Sequence, residues 1–113
     1  MSFLLVATGG AAGSVLRYLV SLVFMGMGWP WGTLVVNILG SFAMGVLAGI
    51  ELSPQQRLFW MTGLLGGFTT FSAFSLETAT LWERAHWEGV AYVALSLALG
   101  LAAFATGMWL ARG

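Results

Sequence analysis

The sequence lacks the residues on which soluble domains and thiol chemistry depend. Its 113 residues include no cysteine and no lysine, and only 7% of them are charged. A typical soluble domain is about one-quarter charged, and a chain without cysteine forms neither disulfides nor thiolate metal sites. The net charge is zero, so nothing favours a nucleic-acid partner. Since 59% of the residues are hydrophobic, the composition indicates an integral membrane protein.

Side chains that could take part in catalysis or metal binding are also scarce. The single histidine, His86, stands in the charged sequence ERAHWE, and we interpret it as a loop residue near the membrane interface. The sequence shows no pattern that pairs a nucleophile with a general base, and it contains no cluster of metal ligands. The pattern therefore predicts no enzymatic activity.

Four apolar segments are long enough to cross a bilayer, which requires about 20 residues. They are residues 3–25, 32–50, 58–81 and 89–111, and together they predict one four-helix transmembrane domain over residues 1–113. Two turns between them carry tryptophans suited to the membrane interface, at 26–31 and 82–88. The polar stretch 51–57 contains Ser53 and Pro54, which predict a helix N-cap and the first helical residue.

The third segment contains an unusual stretch, GLLGGFTTFSAFS, at residues 63–75. Two adjacent glycines are followed by threonines, serines and three phenylalanines, a density of polar groups that a lipid-facing helix does not need. Irregular backbone at membrane depth occurs where protein or a water-filled cavity satisfies it. We therefore predict that this helix is broken near its middle and forms the functional centre. Carbonyls freed around Gly66, Gly67 and Thr69 could bind a cation.

Three other polar residues inside the apolar segments, Arg17, Asn37 and Glu77, each have more than one interpretation. Arg17 faces a polar vestibule, where it would concentrate anions, or it snorkels to the interface. Asn37 forms a stripe with Thr33 and Ser41, and its amide binds an anion or joins two helices. Glu77 pairs with Arg17, caps a polar track or faces water.

Aromatic and hydroxyl residues in the last two segments also have two interpretations. Phe71 and Phe74 lie three residues apart, and their ring edges hold an anion or simply pack. The hydroxyls of Tyr92 and Ser96 extend a polar track or bond locally to the backbone.

Small residues and arginines give information about oligomerisation and about the orientation of the chain in the membrane. The pairs Gly9–Gly13 and Gly45–Gly49 have the spacing that lets helices approach in lipid, and we take them as weak support for an oligomer. With the N-terminus inside, two arginines near helix ends lie inside and one outside. So small a bias predicts a chain that can insert in both orientations.

Three stretches resemble the Fluc family of fluoride channels, also called CrcB proteins, over essentially the whole chain. They are GGAAGSVLRY at 9–18, GTLVVNILGSFAMG at 32–45 and GLLGGFTTFSAFS at 63–75. The resemblance implies an antiparallel, dual-topology homodimer in the cell (inner) membrane. Two pathways per dimer would export toxic cytoplasmic fluoride by passive diffusion.

The resemblance also implies roles for individual residues. Phe71 and Phe74 would contact fluoride through their ring edges, and Asn37 would be the pore asparagine. The carbonyls of Gly66 and Thr69 from both subunits would hold a structural Na⁺. The remaining residues of the pathway would be Thr33, Ser72, Glu77, Tyr92, Ser96 and, from the first motif, Arg17. The chain departs from the family at Ala73 and Gly100, where other members carry hydroxyls.

Two other functions agree with part of the sequence. A small multidrug exporter has the same size and topology, but it requires a carboxylate in the first helix, and here that helix has Arg17 and no acid. A structural subunit without transport would leave Asn37 and the polar stretch in the third segment without a purpose.

Overall fold

The computed structural model describes residues 2–69 and 71–113, with the side chain of Ser72 outside the description. The described residues form helices and the short turns between them. In chain order the helices are α1 (Ser2–Val23), α2 (Trp31–Ala48), α3 (Pro54–Arg57), a π-helical segment (Leu58–Leu65), α4 (Gly66–Phe68), α5 (Ser72–Arg84) and α6 (His86–Arg112).

Within the described ranges, three continuous helices are long and apolar enough to cross a membrane, namely α1, α2 and α6. At 22 residues, α1 measures about 33 Å at the α-helical rise, against a hydrocarbon core of about 30 Å. The longest dimension of the molecule is 45 Å. The fourth predicted span, residues 58–81, is not one continuous helix, because it is interrupted near its centre.

The interruption lies at Thr69, at the end of the stretch from Gly66 to Thr69 that was predicted to free backbone carbonyls. Gly66 and Gly67 are both helical, in α4, whereas Thr69 is extended with φ −84° and ψ 157°. The Thr69 hydroxyl and backbone N–H both donate to the Leu65 carbonyl oxygen, at 2.8 and 2.9 Å. Thr69 makes the last hydrogen bonds of this helical turn, and its extended backbone ends the helix. The prediction of a third helix broken near its middle is confirmed.

The glycine pairs predicted to support an oligomer instead bring helices together within one chain. A Cβ on Gly9 would lie 2.5 Å from the Phe59 carbonyl oxygen of the π-helical segment. Gly13 faces Leu64 of the same segment equally closely, and Gly45 faces Phe104 of α6. Each glycine therefore permits backbone contact that any side chain would block. These pairs give no evidence about a partner chain.

Replacing Gly13 with Ala should destabilise the fold, because the new methyl would collide with the Leu64 carbonyl and lie 2.7 Å from the Phe68 nitrogen. Overpacking of this kind costs about 1–3 kcal/mol. Gly10→Ala is the matched control, since its Cβ would meet nothing closer than 3.9 Å. Thermal unfolding in detergent should show a lower midpoint for Gly13→Ala alone. Equal midpoints for the two variants would contradict this packing.

The turns between the helices match the sequence in two cases and differ in one. Gly26 has φ 87° in the turn before α2, a conformation that suits glycine. Ser53 and Gln56 form a capping box, and Pro54 is the first residue of α3, as predicted. The predicted charged turn 82–88 is almost entirely helical, because only Ala85, which is extended, separates α5 from α6. His86 is thus the first residue of α6 rather than a loop residue, and its ring stacks on Trp82 at 4.0 Å.

Helix packing gathers the polar residues of three helices on one side of the break. In the described chain α2 packs along α6, α5 packs on α6, and α1 packs on the π-helical segment and α4. The buried core lies where α2, α5 and α6 meet, at Leu34, Leu81 and Tyr92. Three partly buried residues pack around it: Trp29, Ile38 and Phe74. This arrangement places α2, α5 and α6 around the region of Asn37.

Candidate functional site

An open cavity of about 270 Å³ lies at the break in the third span. It is lined by Asn37, Thr69, Phe71, Phe74, Ser96 and Leu97. These residues come from α2, from the break, from α5 and from α6. The structure therefore brings together five of the predicted site residues from three separate sequence segments.

The two phenylalanines contact each other at this cavity, as their spacing predicted. Their ring centroids are 5.8 Å apart and their planes are tilted by 48°. Phe71 is 78% exposed in the single chain, whereas Phe74 is partly buried against the core. The rim of a phenyl ring carries partial positive charge, so rings lining a cavity can hold an anion edge-on.

Ser96 provides an unsatisfied polar atom at the same cavity. Within the part of the chain that the structure describes, its Oγ is buried and has no hydrogen-bond partner. Buried hydroxyls in proteins nearly always have a partner, and this one faces the cavity that Asn37 lines. A hydroxyl can donate one hydrogen bond and an amide can donate two. The cavity thus offers donors to a small polar ligand.

Tyr92, Glu77 and Thr33 form a polar cluster beside this cavity. Tyr92 is fully buried, and its hydroxyl lies 3.5 Å from Glu77 Oε1, at the outer limit of a hydrogen bond. Thr33 lies close to both side chains. The Tyr92 ring packs against Phe74, with centroids 5.2 Å apart. The cluster is therefore joined to the cavity through Phe74.

Glu77 pairs with these hydroxyls rather than with Arg17. In the described residues the one ion pair is that of Arg84 with Glu88. Of the three predicted roles for Glu77, the one that this geometry favours is to cap a polar track.

Arg17 faces a different cavity of about 270 Å³, formed by α1, α2 and α5. The residues around it are Ser14, Arg17, Tyr18, Ser21, Gly32, Thr33, Val36 and Ala73. Arg17 Nε donates to the Gly67 carbonyl oxygen at 3.3 Å, which ties α1 to the helix break. Arg17 therefore faces protein and a partly polar cavity. Thr33 links this cavity to the cluster around Tyr92.

The two departures from the family pattern fall in different places. Ala73 lines the Arg17 cavity and not the cavity of the two phenylalanines. Gly100 lies beyond Ser96 on α6, where it lines a further cavity together with Ser41 and Ser96. The missing hydroxyls therefore affect the two ends of the polar region rather than its centre.

Gly100→Ser should be accepted without loss of stability, because a Cβ at this position would make an ordinary contact, 3.6 Å from Ser41 Oγ. If the chain conducts anions as its resemblance to the Fluc family implies, the added hydroxyl would extend the donors beyond Ser96, and we expect flux at least equal to that of the parent chain. Flux into liposomes and thermal unfolding would be measured together. Reduced flux with unchanged stability would show that a side chain here obstructs the route.

The helix end at Phe68 is chemically suited to a cation. The last carbonyls of a helix lack partners within it, and unwound carbonyls of this kind coordinate Na⁺ in broken membrane helices. Two carbonyls near the break already accept hydrogen bonds, Leu65 from Thr69 and Gly67 from Arg17. The described residues hold no group of three or more acidic, histidine or cysteine ligands, and the sodium site at the Gly66 and Thr69 carbonyls stays a prediction.

Two residues at the site were not predicted. Leu97 lines the cavity beside Ser96, and Trp29 packs edge-on against Tyr92, with centroids 5.6 Å apart at 87°. The sequence marked Trp29 only as an interface tryptophan. Its neighbours in Gly-Trp-Pro-Trp gave no sign that its ring would turn inward.

Comparison with known proteins identifies the family. Residues 4–108 match the family described as CrcB-like protein, Camphor Resistance (CrcB). The chain belongs to the CrcB family. It is therefore an ion-channel family member rather than an enzyme, and its long apolar helices make it a multi-pass membrane protein.

CrcB relatives match almost the entire chain. A protein of Hyphomonas neptunium named fluoride-specific ion channel FluC is 52% identical over 120 residues, covering 97% of this chain and 94% of the relative. Proteins with the same name from Rhizobium meliloti and Caulobacter vibrioides are 48% and 49% identical, each covering 96% of this chain and 94% of the relative. The resemblance seen in the three sequence motifs is confirmed.

Proposed function

We propose that the protein is a fluoride-selective channel that lets toxic cytoplasmic fluoride leave the cell by passive diffusion. The observation that carries this proposal is the cavity at the helix break, where Asn37, two phenylalanine rings and the unpartnered Ser96 hydroxyl converge. The printed names of its CrcB relatives support the same substrate.

Fluoride is small and strongly hydrated, so a selective route must replace its water at close range. The Asn37 amide and the Ser96 hydroxyl supply N–H and O–H donors, and Phe71 and Phe74 supply positive ring edges. Several weak sites in sequence allow an ion to enter and also to leave. A cavity with several separate donors can provide such weak sites, whereas a single tight pocket would retain the ion.

The rest of the route continues from this cavity through the polar cluster. Tyr92 and Thr33 present hydroxyls, which Glu77 orients from one side. Ser72 belongs to the route by its motif position, although its side chain lies outside the described residues. Arg17 raises the local anion concentration at the second cavity, next to Thr33.

The channel would work as an antiparallel homodimer with two pathways. Support comes from the open side of the cavity and from Phe71, which is 78% exposed in the single chain. A second copy of the chain would cover this ring and close the cavity. The small arginine bias permits both orientations in the membrane.

A structural Na⁺ would be held by the Gly66 and Thr69 carbonyls of the two copies. One chain supplies only part of such a coordination shell, so the ion belongs to the dimer. When bound, the ion supplies a fixed positive charge near the route and does not move along it.

Growth in fluoride tests the cellular function. A bacterial host that lacks its own fluoride exporter should grow at otherwise toxic fluoride when it expresses this chain. The same host expressing the Asn37→Asp variant at equal membrane levels should remain sensitive. Equal sensitivity with and without the parent chain would contradict the proposed function.

The orientation of the chain in the membrane tests the proposed antiparallel dimer. Adding arginines to one set of loops should fix a single orientation and remove activity, and co-expression with the oppositely fixed chain should restore it. Full activity of one fixed chain alone would contradict the antiparallel arrangement.

A further inference from the structure

A surface ion pair holds the turn between α1 and α2 against the junction of α5 and α6. Arg84 Nε and Nη2 donate to Glu88 Oε2 and Oε1 at 2.7 and 2.8 Å, in a bidentate pair. Arg84 Nη1 donates to the Gly28 carbonyl oxygen at 3.0 Å. Glu88 also lies close to the Trp29 indole. One guanidinium therefore fixes both sides of this contact, which we call the Arg84 clamp (Arg84, Glu88, Gly28 and Trp29).

Ring contacts lead from the clamp to the central cavity. The Trp29 ring meets Tyr92 edge-on at 5.6 Å, Tyr92 packs on Phe74 at 5.2 Å, and Phe74 contacts Phe71 at 5.8 Å. Tyr92 has no exposed surface, so its ring cannot move without displacing these neighbours. The position of Trp29 is thus transmitted by packing to the ring that lines the cavity.

The clamp also borders a cavity next to the polar cluster. This cavity, of about 260 Å³, lies between the turn and α5, and its lining includes Gly28, Trp29, Arg84 and Glu77. The same residues that hold the turn therefore shape the space next to the Glu77 carboxylate.

We propose that Arg84 is a positioning residue for permeation, acting through Trp29 and Tyr92 to hold the Phe74 ring in its conducting position. This proposal rests on the proposed channel function. Arg84 itself need not contact the ion.

The chemistry of arginine makes the proposal specific. A guanidinium presents several donors in a planar fork, so it can bind a carboxylate twice and a carbonyl once, whereas a lysine ammonium cannot reproduce that geometry. The side chain of Arg84 is 50% exposed, and exposed ion pairs contribute little to stability. A lysine at this position should therefore leave the fold intact but release the turn.

The test compares Arg84→Lys with Arg57→Lys, both purified as the full chain and reconstituted in liposomes. Both variants keep the number and placement of positive charges, so the orientation in the membrane is unaffected. Arg57, an exposed residue in the last turn of α3, is 27 positions from Arg84 and is not one of the clamp residues. We expect fluoride efflux to fall about fivefold in Arg84→Lys, of the order of one hydrogen-bonded ion pair, and to stay at the parent rate in Arg57→Lys.

A spectroscopic readout separates positioning from general damage. The chain labelled with 5-fluorotryptophan gives six ¹⁹F resonances, one for each tryptophan, and Trp29→Phe identifies the Trp29 signal. In fluoride-free buffer, Arg84→Lys should shift that signal and Arg57→Lys should not. Trp29→Phe should itself reduce efflux, because the smaller ring loses part of its edge-on contact with Tyr92, while Trp109→Phe, at a residue that is 71% exposed, serves as its control.

Reduced efflux together with a shifted Trp29 resonance supports the proposal that Arg84 positions Phe74. Unchanged efflux overturns it, whether or not the resonance moves, and so does reduced efflux with an unmoved resonance. If Arg84→Lys does not fold, unchanged efflux in Trp29→Phe overturns the proposal and reduced efflux in that variant supports it. If the parent chain passes no fluoride, the channel function fails, and the ¹⁹F signals then show whether Arg84 positions Trp29.

Discussion

Asn37→Asp should abolish fluoride conduction while the protein remains folded. The substitution keeps the size of the side chain but places a carboxylate in the cavity with Phe71, Phe74 and Ser96. Two like charges about 4 Å apart repel by about 4 kcal/mol at the effective dielectric constant of a protein surface. That energy corresponds to about a thousandfold slower passage.

The matched control for this prediction is Gln55→Glu, the same amide-to-carboxylate change on an exposed residue of α3. Efflux from liposomes would be measured for both variants after gel filtration shows a single species. Gln55→Glu should conduct like the parent chain. If Asn37→Asp conducts normally, Asn37 does not donate to the ion, and its position at the cavity has only a packing role.

Replacing either pore phenylalanine with isoleucine should lower fluoride flux by about tenfold or more, equivalent to about 1.4 kcal/mol. Isoleucine is apolar and of similar bulk, but it has no positive ring edge to offer an anion. Phe71 is largely exposed in the single chain, so Phe71→Ile should not affect chain stability. Phe74 packs on Tyr92, and Phe74→Ile should cost about 1 kcal/mol or less of stability.

Phe3→Ile provides the control, because Phe3 is 91% exposed on α1. Flux, unfolding midpoint and oligomeric state would be compared for the three variants. Lower flux without loss of assembly is the expected result for Phe71→Ile and Phe74→Ile. If both variants conduct as well as Phe3→Ile does, the rings serve only for packing.

The transmembrane character and the broken helix could be predicted because they follow from local composition. The apolar segments are long and nearly free of charge, and hydroxyl residues concentrated after Gly67 indicated an interruption. The break was predicted between Gly66 and Thr69, and it lies at the end of that stretch. Glycine lowers helix propensity, yet Gly67 is helical in α4, where it approaches Gly10 of α1 closely, and the backbone becomes extended only at Thr69.

Features that depend on tertiary contacts could not be predicted in this way. The π-helical hydrogen bonding of Leu58–Leu65 has no signature in LFWMTGLL, and the segment presents carbonyls to Gly9 and Gly13. The same glycine spacing serves contacts within a chain or between chains, and only the structure distinguishes them. The bidentate pair of Arg84 and Glu88, four residues apart, spans the single extended residue where a longer turn was predicted.

The grouping of site residues was predicted in part. Asn37, Phe71, Phe74 and Ser96 come together at one cavity, while Arg17 lies at another. Sequence spacing placed Phe71 beside Phe74, but it could not show that Trp29 packs on Tyr92, because that contact joins residues 63 positions apart. The dimer, the two pathways and the sodium ion remain predictions.

Anion efflux from liposomes containing the purified protein tests the central claim most directly. Fluoride and chloride electrodes would follow both ions side by side after a potassium ionophore removes the electrical barrier. The account predicts rapid fluoride loss with no chloride loss above that of protein-free liposomes. Retention of fluoride by a well-folded preparation, or equal loss of both anions, would contradict it.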